Sequence, residues 1–185
     1  MRTLAISIAL LCFAGCRTDD AQPAARLSAA IAGAQPPFAA ANVEEQALIV
    51  RARAWCNAIV AAGAGHDAGL DRNTAIAVQL SQSAAAIVQR LEDVRQSLNR
   101  VHLRAEEPRR VRAELVSQLS RRKTALEALH TELDETVSQF RGFAQDRDYS
   151  GDTVPDRVRS IDETLGAWPT PEDIFSPALA AMRSQ

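Results

Sequence analysis

The chain has 185 residues, 46% of them hydrophobic and 24% charged, with a formal net charge of −2. That length and apolar content fit one folded unit with a modest core. The lack of a basic excess excludes a dedicated nucleic-acid binder, because too few cations are left over to displace phosphate counterions.

Met1-Arg2-Thr3 is a short basic start, and Leu4 through Phe13 is an unbroken, mostly apolar run. A helix of that length covers about 15 Å, half of a bilayer core, which suits an export signal rather than a permanent span. Small residues then lead into a cysteine, Phe13-Ala14-Gly15-Cys16. The segment resembles the lipobox of bacterial lipoproteins, with Phe13 where Leu is commoner. The resemblance covers residues 1–16 only. It implies that residues 1–15 are a signal peptide, that the Cys16 thiol receives a diacylglyceryl group, and that cleavage falls just ahead of it. Each buried methylene of an acyl chain contributes about 0.8 kcal/mol, so two or three chains hold a protein at a membrane almost permanently. In Gram-negative lipoproteins an Asp after the cysteine favours inner-membrane retention. Arg17 stands there in this chain, which implies the periplasmic face of the outer membrane. With Cys12 removed and Cys16 acylated, Cys56 is left alone in an oxidising compartment, where a buried small hydrophobe is the expected role.

Residues 16–41 are rich in Ala, Pro and Gln and poor in large apolar side chains, and Pro23, Pro36 and Pro37 interrupt any helix. They are expected to form a flexible tether, with room for a short helix over residues 24–34. The folded part then spans 42–185. Asn42 and Glu45 have the spacing of a capping box, opening a helix that runs to about Ala62 and stops at Gly63 and Gly65. Leu48, Ala52, Trp55, Ile59 and Ala62 form its apolar stripe.

Residues 71–104 carry Ala77, Leu80, Ala84, Ile87, Leu91, Val94, Leu98, Val101 and Ala105 at alternating spacings of three and four, the period of a coiled-coil seam. Residues 108–145 carry Leu115, Leu119, Leu126, Leu129, Leu133, Phe140 and Phe143 on a similar seam, interrupted by Arg122 and Thr136. Two joins are open. Pro108 favours an antiparallel hairpin turning near residues 104–108, whereas the unbroken heptad phase allows a kinked rod that dimerises through its seam. Val154, Val158, Ile161 and Leu165 make a shorter helix ending at Gly166, and Thr170-Pro171 reads as a cap and first-turn proline for a last one. The fold class expected is therefore all-α: a bundle built around a long coiled-coil-like helical hairpin, with short C-terminal helices.

One segment has the spacing of a cation loop. Asp146, Asp148 and Ser150 place oxygens on alternate residues ahead of Gly151, with Asp152 following. This resembles the first half of an EF-hand loop, but the position of the bidentate Glu holds Arg157, with Asp156 beside it. Weak Ca²⁺ binding is one reading, and a polar connector whose Asp residues turn the backbone is the other. Glu127, His130 and Asp134 share a helix face that reads as solvated, and neither a zinc motif nor a nucleophile or phosphate-loop signature occurs. No cofactor and no catalysis are expected. The function expected is a lipid-anchored structural or protein-interaction module with a protein partner in the envelope and room for a homodimer. A calcium-binding envelope module using the 146–152 loop is the alternative.

Overall fold

The structure is a computed structural model and describes residues 21–169 and 172–183. Five helices follow in order: α1 (Ala21–Ala62), α2 (Ala68–Asn99), α3 (Glu106–Phe143), α4 (Asp156–Gly166) and α5 (Phe175–Arg183). No strand occurs among the described residues, and the fold is an all-α bundle. No described helix is long and apolar enough to cross a membrane.

The two heptad segments close on each other as an antiparallel hairpin that turns over residues 100–105. Seam residues of α2 from Ala77 to Leu98 and of α3 from Leu115 to Phe140 are buried, and they form the largest part of the core. The kinked rod is therefore not adopted. Pro108 sits buried in the first turn of α3, where its missing N–H costs no intrahelical bond. α3 opens without a side-chain cap, and Arg112 braces the turn: its Nη1 donates to the Val101 carbonyl at 2.5 Å. Thr136, the other interruption, is fully buried and donates to the Glu132 carbonyl one turn back at 2.7 Å. Glu92 joins the two helices at the surface, with Arg95 at 2.6 Å and Lys123 at 3.7 Å.

The described part of the expected tether, residues 21–41, is helical instead. α1 begins at Ala21 and passes through Pro36 and Pro37 without a break. The physical reason is a stripe that composition concealed. Leu27, Ile31, Ala34, Phe38 and Ala41 are all buried, and at spacings of four and three they continue through Glu45 into Leu48, Ala52, Trp55 and Ile59. Both prolines lie on the exposed side of this stripe. Each forfeits a helical bond and costs about 3 kcal/mol in a helix interior. Burying Leu27, Ile31 and Phe38 at about 1.5–3 kcal/mol each offsets that loss. Phe38 meets Phe175 of α5 edge-on at 4.8 Å between ring centroids. Asn42 is thus a mid-helix residue rather than a cap, and its Oδ1 is buried without a hydrogen-bond partner. Cys16 lies outside the described residues.

The short helices close the open side of the bundle. Val158, Ile161 and Leu165 of α4 are fully buried, and Arg53 of α1 donates to the Leu165 carbonyl at the end of α4. The cap of α5 is Asp173, which accepts from the Phe175 and Ser176 N–H groups at 2.9 and 3.2 Å. The Ser176 contacts hold its carboxyl below the usual carboxylate range. The expected cap at Thr170 and Pro171 lies outside the described residues.

Two outcomes follow from these contacts. Phe38→Ala should destabilise the bundle by about 3–5 kcal/mol in urea unfolding, as for a core aromatic, whereas a tether residue would change nothing. Hydrogen bonds from Arg95 and Gln96, and the charges of Arg95 and Lys123, lower the Glu92 carboxyl to about 2. A depressed carboxylate stabilises the fold above its unfolded value and loses that contribution as pH falls toward the folded one. Glu92→Gln should therefore be less stable than the parent at pH 7, and the gap should close between about pH 4.5 and 2.

Candidate functional site

The sequence-defined cation loop follows α3 and packs against the turn between α1 and α2. Asp146 Oδ1 accepts from the Asp148 N–H at 3.0 Å, a local Asx turn. Gly151 accepts from the Gly65 N–H at 2.9 Å through its carbonyl, and its own N–H donates to His66 Nε2 at 2.8 Å. That ring nitrogen is an acceptor, so His66 carries its proton on Nδ1. A Cβ at Gly63, which has φ +75°, would collide with Gly151 and Asp152 backbone, so the two loops can only close with glycine there. Tyr149 stacks on Phe143 with centroids 4.4 Å apart. Burial and the charge of Asp152 push its phenol up.

The structure thus spends this loop on an interlock of backbone groups. Among the described residues no three His, Cys, Asp or Glu side chains gather where they would hold a metal ion. Asp146, Asp148 and Asp152 are not brought together, Ser150 is exposed, and Arg157 pairs with Glu132 and Glu135 at 3.2 and 2.7 Å.

A second cluster was not legible in the sequence. Ser81, on the flank of the α2 seam and 4% exposed, donates to Asp134 Oδ1 at 2.5 Å and lies 2.9 Å from His130 Nδ1. His130 and Asp134 are one turn apart on α3, the pair that reads as a solvated face. The three residue types are those of a hydrolytic triad, but the Ser81 hydroxyl donates to the carboxylate itself, and the direction of its contact with the imidazole depends on the tautomer of His130. All three residues also sit in mid-helix, where backbone N–H groups are already bonded and none is left for an oxyanion. The cluster clamps α2 to α3.

The third cluster lies at the centre of the α1 stripe. Glu45 is 1% exposed, with Oε2 accepting from Arg122 Nε at 2.6 Å and Oε1 from Trp168 Nε1 at 3.0 Å. The Arg122 guanidinium lies 5.2 Å over the Phe38 ring, and its Nη2 is buried without a hydrogen-bond partner. These groups form one wall of a cleft of about 440 Å³ whose rim includes Gln118, Arg121 and Glu172. The capping-box spacing of Asn42 and Glu45 pointed to this carboxylate for the wrong reason, whereas Arg122 was visible as a break in the α3 seam.

Cys56 is fully buried and unpaired, and burial followed by the charge of Asp162 pushes its thiol up to about 12. It remains a protonated small hydrophobe. On the outer side of α1, Val43, Val50 and Val60 are 67%, 68% and 47% exposed. No family model, curated protein or solved structure matches this chain.

Glu45→Gln should destabilise the fold by about 3–5 kcal/mol, because it leaves the Arg122 cation buried and unpaired. The paired replacement Glu45→Leu with Arg122→Leu should recover most of that loss. Urea unfolding of the two variants beside the parent checks both.

Proposed function

We propose that this chain is a lipid-anchored lipoprotein of the Gram-negative envelope, held at the periplasmic face of the outer membrane, whose helical bundle acts as a protein-interaction module. The reading is carried by Cys16, the last residue of the lipobox-like segment, standing five residues ahead of Ala21 where the bundle starts. Covalent reach alone keeps an acylated Cys16 within about 18 Å of that first helical residue. The interaction role draws its support from the bundle. Its polar clusters satisfy one another across helices instead of converging on a reacting centre. Meanwhile α1 offers Val43 and Val50, two turns apart on one side, to solvent.

Growth with labelled palmitate followed by membrane fractionation tests the anchor. The parent should incorporate label and sediment with the outer membrane, and Cys16→Ala should lose both. An unlabelled parent, or an exported product with an unmodified amino end, would overturn the reading.

A further inference from the structure

The end of the bundle from which the anchor would emerge is also its most cationic surface. Between Asp93 and Glu106 the chain has no acidic residue, and residues 100–112 hold five arginines against two glutamates. The α2–α3 turn gathers them at one end of the hairpin. Arg110 is paired with Glu107 at 2.6 Å, and Arg112 is committed to the Val101 carbonyl. Arg100, Arg104 and Arg109 are exposed and have no ion pair or side-chain hydrogen bond among the described residues, and exposed His102 stands between the first two. In the middle of the hairpin Arg90, Arg95, Arg121, Arg122 and Lys123 all have a carboxylate partner, whereas Arg72 and Arg141 toward its other end have no ion pair among the described residues.

Register places this tip beside the start of α1. The Glu45–Arg122 and Phe38–Arg122 contacts set α1 alongside α3 in the same direction, so that Glu106 stands level with a position between Gln22 and Ala29. At 1.5 Å per residue Ala21 then projects at most about 12 Å past Glu106. That is about one and a half Debye lengths at physiological salt. A surface that receives an anchor at Cys16 is thus within reach of the tip as well.

We propose that the α2–α3 tip, through Arg100, Arg104 and Arg109, docks on the anionic headgroups of a lipid surface. The choice of a membrane as occupant rests on the anchoring reading above; the charge and position of the tip do not. Unpaired arginines suit the role because no local salt bridge has to be broken before a phosphate can be met, and their forked donors match it. Each cation held near an anionic surface is worth about fivefold in partitioning, so the three together are worth on the order of a hundredfold.

The test uses the full chain carrying Cys16→Ala, so that acylation plays no part, and vesicles of phosphatidylglycerol or of phosphatidylcholine alone. Cosedimentation is read as the ratio between the two lipids, which cancels any contribution of the leader common to both. The parent should favour phosphatidylglycerol, less so as salt rises. The variant with Arg100, Arg104 and Arg109 changed to Gln should lose about a hundredfold of that preference. Arg72, Arg147 and Arg159 lie toward the opposite end and are exposed. Changing these three to Gln makes the same change in net charge and should cost less than tenfold. Circular dichroism checks that both variants fold. Equal losses in the two variants, or a parent indifferent to phosphatidylglycerol, would overturn the proposal. Failure of palmitate labelling would instead remove the anchor while leaving the vesicle result standing.

Discussion

The bundle depends on one buried charge pair. α1 presents a stripe from Leu27 to Ile59 that is apolar at every position except Glu45, and the α3 seam is broken by Arg122. The two exceptions meet. Heptad stripes built from Ala and Leu are nearly self-similar under a shift of seven residues, so apolar burial alone leaves their mutual register poorly specified. A single carboxylate that is stable only opposite a single guanidinium removes that degeneracy, because any slipped register buries both charges unpaired. Trp168 and Phe38 extend the selection. The first brings the α4–α5 connector onto Glu45, and the second seats α5 through Phe175. The pair is thus better understood as a register device than as a source of net stability, since taking two charges out of water consumes most of what their attraction returns.

The hairpin was plainly legible in the sequence and the first helix was not, and the difference is physical. Leu80, Ile87, Leu91 and Leu98 on one side, with Leu115, Leu119, Leu126 and Leu133 on the other, put large apolar groups at almost every seam position. Periodicity then outweighs everything else. In residues 21–41 the same period is present, but Ala fills many positions and Pro36 and Pro37 argue locally for a break. Packing against the rest of the bundle, including α5 more than a hundred positions away, makes those few large side chains sufficient. Pro and Ala composition reports the local cost of ordering and is silent about a distant partner surface. The Asn42–Glu45 spacing misled for the same reason. It describes a good helix start, but the helix had already begun.

The candidate sites divide along a similar line. Asp146, Asp148 and Ser150 alternate as a cation loop would, yet alternation fixes only which residues are near in sequence. What the loop does was decided by Gly63, Gly65 and His66, on a turn that sequence spacing did not connect to it. The backbone groups of the 151–153 stretch are occupied there, and a folded interlock leaves no common focus for the carboxylates. Ser81 with His130 and Asp134 is the converse case, in which residue types suggest chemistry and the arrangement across two mid-helix faces fits a clamp. Identity of side chains defines what a cluster is able to do, and its arrangement defines what it does.

The bundle's two ends consequently have opposite characters. At one end the loops after α1 and α3 are laced together by glycine contacts and backbone hydrogen bonds, and Arg157 is neutralised by Glu132 and Glu135. At the other, three arginines stand without partners beside the start of α1. A folded chain with 23 acidic residues had ample means to pair three cations, and it does so elsewhere along the hairpin. Leaving them unpaired costs little stability, because an exposed salt bridge is worth only about 0–1 kcal/mol. Exposed arginines without an ion pair among the described residues also stand toward the other end, but Arg72 and Arg147 have aspartates beside them in sequence, whereas the tip has no acid between Asp93 and Glu106. That difference in local charge has no folding benefit to explain it. It does give the molecule an electrostatic direction, with the first helix, the exposed valines along its side and any anchor ahead of it all referred to the same end.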